Sequence, residues 1–405
     1  MAEAKSRRYH YFESRISRGF VSLYTGRTVM TIASGLVGVF LPIFLYQLFD
    51  QSFTKVALFF LVSSLVYVVL LLFSASKLNK IGFRRALQIS VLLGASFYGL
   101  FYFVTPENYA RLIPIALALL VGFRFLFWIP YHVDFIKFTD RKDRGKEVSL
   151  LIATKDILVA GMPLVAGFIA SYFGFDILFG LTFVVWLLAG VSFMTLPRTK
   201  EKFRWSPRET TRQLFSKERR SVVLSFFAQG IETAIGVAVW PVFIFVILNG
   251  NLFEVGLYST LVILFSGLLQ LLVGKKIDGS SIASRRTMKV GSLFYALGWI
   301  FKIFVATALH IFVIGVFHNI ARIFTNTPFE TEIYNLAADQ GHYVDEFTVL
   351  YEIALNLGRI LALGIFIVMA LFIPIQWTFI IGAIASLALN LIWLGQSRTA
   401  LRPRI

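Results

Sequence analysis

The chain has 405 residues, of which 57% are hydrophobic and 15% charged, and its mean hydropathy is +0.75. A soluble domain carries about 25% charged residues, so a water-soluble globule and a disordered chain are both excluded. The formal net charge is +17, but no nucleic-acid motif accompanies it; in a chain this apolar it reads as loop charge that sets membrane orientation. The absence of cysteine excludes disulfides and thiolate metal sites.

A helix that crosses a bilayer needs about 20 predominantly apolar residues. Twelve apolar segments are predicted, roughly at 20–48, 56–76, 86–105, 111–136, 148–172, 175–196, 221–248, 253–274, 287–307, 309–336, 346–371 and 374–397. They are too long, and too continuously apolar, for the alternating strands of an outer-membrane barrel. Helices also satisfy their own backbone groups in hydrocarbon. The fold class expected is therefore an all-α membrane protein. The basic, aromatic stretch Met1–Arg18 is not expected to act as a cleavable signal, and His10-Tyr11-Phe12 suits a tail resting on anionic headgroups, which makes membrane lipid an expected partner.

Basic residues collect on one side of the predicted spans. They include Arg7 and Arg8 in the N-terminal tail, Lys77 to Arg85 after span 2, Lys137 to Lys146 after span 4, the stretch 198–220, Lys275 to Lys289 after span 8, and Arg398 to Arg404. Both termini are thereby placed in the cytoplasm of a multi-pass cytoplasmic-membrane protein. Asp339–Glu346 dissents, since it lies on that side without Lys or Arg. The expected layout is a tail at 1–18, a six-helix bundle at 19–197, a cytoplasmic linker at 198–220, a second bundle at 221–397 and a tail at 398–405.

The two bundles resemble each other. Arg124 and Pro130 recur as Arg322 and Pro328, offset by 198. Ala75-x-x-x-Asn79 recurs as Gly274-x-x-x-Asp278, Arg84-Arg85 as Arg285-Arg286, and Asp156-Ile157 as Glu352-Ile353, at offsets between 196 and 201. Six helices per copy make these parallel repeats, a transporter architecture with its site between the halves near the midplane.

On these residues the chain resembles the major facilitator superfamily over nearly its whole length. The family's loop signature, Gly-x-x-x-Asp-Arg-x-Gly-Arg-Arg, corresponds here to Ala75-Ser76-Lys77-Leu78-Asn79-Lys80-Ile81-Gly82-Phe83-Arg84-Arg85. A second copy keeps Gly274, Asp278, Arg285 and Arg286. The first copy departs at Ala75 and at Asn79, which carries no charge for the family's cytoplasmic gate network. Gly161-x-Pro163-x-x-x-Gly167 resembles the family's small-residue stretch in helix 5, and its simplest role is close helix packing. The resemblance implies twelve transmembrane helices in two pseudo-symmetric six-helix halves, a cavity lined by helices 1, 4, 7 and 10, and a monomer.

Charges inside the spans are costly, about 2.5–3.5 kcal/mol each at a helix centre, and mark candidate sites. Arg124, Glu232, Arg322 and Arg359 lie nearest mid-depth; Arg27, Lys155, Asp156 and Glu352 lie in the cytoplasmic third. Arg124 and Arg322 are expected to face the axis from opposite sides and to clamp a carboxylate or phosphate, or else to be neutralised by resident acids. Glu232 is the leading proton-carrier candidate, with Asp156, Glu352 and His318 secondary. Lys155–Asp156 and Glu352–Arg359 are equally readable as structural pairs, and His318 reads first as a packing histidine. Asp134, Glu330 and Glu332 are expected in a gate network, and Lys302 is expected to snorkel outward. Asn319, Asn326 and Asn356 are candidate hydrogen-bonding groups, and Trp128, Tyr131, Trp240 and Tyr334 candidate pocket walls.

The function expected is secondary active transport of a small solute by alternating access, with protons as the candidate coupling ion and an anion as the candidate substrate. The alternative is a lipid or amphiphile flippase, or a multidrug exporter, on the same fold. No phosphate-binding loop, metal motif or nucleophile elbow is present, so no enzyme activity and no cofactor are expected.

Overall fold

The computed structural model describes residues 17–139, 147, 150, 154, 157–199, 203–274 and 281–394, and every regular element among them is helical. The first elements are α1 (Arg18–Val37), α2 (Phe40–Leu48), α3 (Phe53–Ser74), α4 (Leu78–Ile81), α5 (Phe83–Phe101) and α6 (Tyr109–Phe138). Next come α7 (Met162–Tyr172), α8 (Gly174–Met194) and the short surface helix α9 (Pro207–Leu214). The rest are α10 (Arg220–Ala234), α11 (Trp240–Ile247), α12 (Leu252–Gly274), α13 (Ser281–Lys302), α14 (Ala308–Ala338), α15 (Val344–Met369) and α16 (Phe379–Ala388).

Among the described residues eight helices are long and apolar enough to cross a membrane, or nine if the bent pair α1–α2 is one span. Ile157–Tyr172 is a shorter apolar helix. The protein is a multi-pass membrane protein. Outward-facing Phe73, Ile157 and Leu371 are largely exposed, as side chains in contact with lipid tails would be.

Two breaks have the same cause. Pro42 has no N–H to offer the carbonyl of Gly38, and α1 and α2 meet there at a 41° bend. Pro241 has none to offer Val237, and the chain between α10 and α11 widens into a π-helical turn, Ile235–Val239. The turns that follow are also alike. Asp50 and Gln51 take left-handed φ values of 56° and 59°, and Asn249 and Gly250 take 52° and 81°. Ser52 then caps α3 by accepting from the Lys55 amide, and Asn251 caps α12 by accepting from the Glu254 amide. Each of these positions lies 199 residues from its counterpart.

Helices α1, α3, α5, α6 and α8 pack among themselves, as do α10, α12, α13, α14, α15 and α16. Two seams join the groups, α3 against α15 and α7 against α12. The second seam rests on glycine. A Cβ on Gly167 would meet the Leu252 carbonyl oxygen at 2.7 Å, and one on Gly256 would overlap the Pro163 carbonyl. Small residues admit such approach where lipid supplies no hydrophobic drive between helices.

Candidate functional site

A cavity of about 550 Å³ lies between the two groups of helices. Arg27 of α1 and Trp128, Tyr131 and His132 of α6 line one wall. The other wall takes side chains at helical spacing: Glu232 and Gly236, His318 and Arg322 of α14, and Glu352 and Arg359 of α15. Lys302, at the end of α13, also reaches it.

The two ends of the cavity are built differently. At the end where α2 meets α11, Tyr46 packs edge-on to Phe245 with ring centroids 6.4 Å apart. Phe49 and Tyr109 share that end, at 5.7 Å, so the far turns of α6 lie at the other. There His132 Nδ1 lies 3.0 Å from the Tyr334 hydroxyl, and His132 Nε2 lies 3.7 Å from Glu352 Oε1. Phe135 packs on Tyr334 at 4.9 Å.

Glu232 is buried and accepts a hydrogen bond from the Tyr295 hydroxyl. It shares its end of the cavity with Arg322, Lys302 and Arg359. His318 is buried against Tyr295 and Trp299, at 4.7 and 4.6 Å between centroids, and its Nδ1 has no hydrogen-bond partner among the described residues. That placement packs the ring between aromatic side chains and keeps it on the cavity wall.

The cations are held by neutral groups. Arg27 sits over the rings of Trp128, Tyr131 and Phe127, at 5.0, 5.7 and 5.8 Å. Arg322 Nε donates to Asn319 Oδ1 at 3.0 Å, and Arg359 donates to Asn356 Oδ1 at 3.3 Å. Lys302 Nζ lies 4.0 Å from the Trp240 ring centre and 4.1 Å from that of Trp299. Cation–π contact of this kind is worth roughly 2 kcal/mol when desolvated.

Two expectations are corrected by this geometry. Lys302 does not snorkel outward; it is 3% exposed and turns inward, because two tryptophan faces stabilise the ammonium there. The Arg124–Arg322 clamp does not form. Arg322 lines the cavity, whereas Arg124 is turned into the α3–α15 seam, where it donates to Ser63 Oγ at 3.1 Å and to Asn356 Oδ1 and lies 4.3 Å from the Tyr67 ring centre. Glu352 and Arg359 do not pair directly, since Asn356 stands between them and donates to the Glu352 backbone at 2.7 Å.

The other candidates fall as follows. Asp156 and Lys155 lie outside the described residues, and so does Asp278. Glu330, expected in a gate, lines the cavity. Asp134 is buried and accepts from Thr199 Oγ1 at 2.7 Å. Asn79 bonds both backbone groups of Phe203, accepting at 3.1 Å and donating at 3.2 Å. Gly82 takes φ 79°, and Arg84 donates to the Met194 carbonyl. Arg85, Arg285 and Arg286 are exposed, and Gly274 ends α12.

Sequence reading missed His132, Tyr295, Trp299 and Lys302 as site residues. The signal was there for three of them: Tyr295, Trp299 and Lys302 recur at i, i+4 and i+7, a single helix face.

A family model described as Major Facilitator Superfamily matches residues 23–344. The chain belongs to the major facilitator superfamily. It is therefore a membrane transporter of that superfamily, whose members are transporters rather than enzymes in general. The match ends at the first residue of α15, so Glu352, Asn356 and Arg359 lie beyond it. No curated protein matches the chain.

Proposed function

We propose that this superfamily member is a secondary active transporter that moves a small solute by alternating access, with Glu232 as its proton carrier. In this reading twelve spans form two six-helix halves, 19–197 and 221–397, with both termini and the 198–220 linker in the cytoplasm of the cytoplasmic membrane, and the monomer is the working unit. The observation that carries it is the cavity, lined by helices from both sides of the linker.

The repeat supports the two-half layout. Pro42 and Pro241, the left-handed turns after them and the caps Ser52 and Asn251 all share one offset. The seams α3–α15 and α7–α12 exchange with each other under the same operation. Rocking about such seams opens the cavity first toward one side and then the other. The contacts Tyr46–Phe245 and His132–Tyr334 are then the two closures.

Glu232 suits the coupling role because it lines the cavity, is otherwise buried and is hydrogen-bonded by a neutral phenol, with no ion pair among the described residues. A carboxyl so placed binds and releases a proton as access alternates. In proteoliposomes an imposed pH gradient should drive uptake by the wild type. Glu232→Gln should abolish that uptake and spare solute exchange; uptake still driven by the gradient in the variant would remove Glu232 from the coupling path.

A further inference from the structure

The four cations of the cavity wall share a feature that points to the solute. Among the described residues, none of Arg27, Lys302, Arg322 and Arg359 is in an ion pair with a carboxylate. Each is oriented by a neutral partner: aromatic faces for Arg27 and Lys302, and amide oxygens for Arg322 and Arg359. A ring or an amide fixes a cation's position without cancelling its charge. The cavity's carboxylates are engaged elsewhere, Glu232 by Tyr295 and Glu352 by Asn356 and His132, while Glu330 adds a third acidic group. Among the described lining residues four cations stand against three carboxylates, so that part of the wall is positive, and more so whenever Glu232 is protonated.

The positive groups are not spread evenly. Lys302, Arg322 and Arg359 gather around Glu232, whereas Arg27 stands on the opposite wall against Trp128 and Tyr131. The cavity, at about 550 Å³, has the size of sites that enclose drug-sized ligands, far more room than a single inorganic anion fills. Its walls include the indoles of Trp128, Trp240 and Trp299. Fixed donors with uncancelled charge attract an anion strongly, and flat rings select a planar apolar body.

We propose that the solute is an aromatic organic anion, with its acidic group among Arg322, Arg359 and Lys302 and its ring system toward Trp128, Tyr131 and Arg27. This rests on the transporter reading for the word solute; the binding site itself does not. It also accounts for coupling: protonating Glu232 removes the negative charge nearest the three cations and so favours the anion's entry.

The test is binding of 1-naphthoate to the full chain in detergent, read by tryptophan fluorescence and by thermal shift, beside inorganic phosphate and tetraphenylphosphonium. Saturable binding of naphthoate is expected, weakened at least about tenfold, or about 1.4 kcal/mol, in Lys302→Met and in Arg322→Gln. Lys302→Arg, which keeps the charge, should recover most of the affinity and guards against a misfolded variant. No naphthoate binding, equal binding in the charge-removed variants, or preference for phosphate or for the phosphonium overturns the proposal. Exchange of labelled naphthoate in proteoliposomes separates it from the transporter reading. Binding without exchange defeats transport of this solute and leaves the site, whereas exchange of the phosphonium alone leaves transport and defeats the site.

Discussion

The Asn356 carboxamide of α15 joins Arg124 of α6 to its own helix neighbour Arg359. Its oxygen accepts from both guanidinium groups, and its nitrogen donates to Glu352. One neutral amide thereby holds two like charges at fixed positions in a buried seam, and Tyr67 covers the face of Arg124. The seam is α3 and α6 against α15, so this amide spans the two groups of helices.

Replacing Asn356 by Leu should therefore destabilise the protein well beyond a lost contact. Each hydrogen bond to a charged group is worth about 1.5–3 kcal/mol, and buried Arg124 and half-buried Arg359 would lose their shared acceptor. A lower unfolding temperature in detergent is expected, with the loss largest at low ionic strength.

Arg124→Lys tests the placement of Arg124 in the seam. An ammonium has no planar fork to reach Ser63 and Asn356 together while lying on Tyr67. The expected result is reduced thermal stability with ligand affinity changed by less than about threefold, against a loss of at least about tenfold for Arg322→Lys. Equal losses of affinity in both variants would return Arg124 to the ligand.

The helical membrane fold was legible because apolar stretches of bilayer length leave little else possible. The cost of charge in hydrocarbon singled out Glu232 and Arg322, and both line the cavity. That argument misjudged Arg124 and Lys302, since cost says that a partner exists and not where it lies. Lys302 sits at a helix end, where snorkelling is the cheapest course for an isolated helix. Only the tertiary placement of Trp240, on a different helix from Trp299, makes the inward course better. His132 was missed for a related reason: its partners Tyr334 and Glu352 are some 200 residues away in sequence.

Asn79 holds the linker. Two bonds to one residue, Phe203, tie the loop after α3 to the chain that leads into α9, and Glu346 of α15 accepts from the next amide, that of Arg204, at 2.9 Å. Asn79→Ala should free the Phe203 amide by about 1 kcal/mol, roughly a fivefold rise in its hydrogen-exchange rate. Asn79→Asp keeps the acceptor for that amide and loses only the donor to the carbonyl. Its exchange should stay within about twofold of wild type. If Asn79→Asp exchanges as fast as Asn79→Ala, the amide bond does not hold the linker.

The α7–α12 seam offers a test with an internal control. A side chain at Gly256 collides with the Pro163 carbonyl, while Gly267 on the same helix has nothing within 4 Å of where its Cβ would stand. Gly256→Val should force α7 and α12 apart at a cost of about 1–3 kcal/mol, the usual penalty of overpacking. Gly267→Val adds the same bulk to the same helix and should be near neutral. Because this seam lies at the cavity end where α2 meets α11, opening it by a side chain should also bias the protein toward exposure on that side. Solute exchange slowed in Gly256→Val and unchanged in Gly267→Val is the expected outcome, read alongside unfolding temperature. Two variants that behave alike would mean that the glycine contact does not exist in the membrane, and that α7 and α12 are not a seam on which the halves turn.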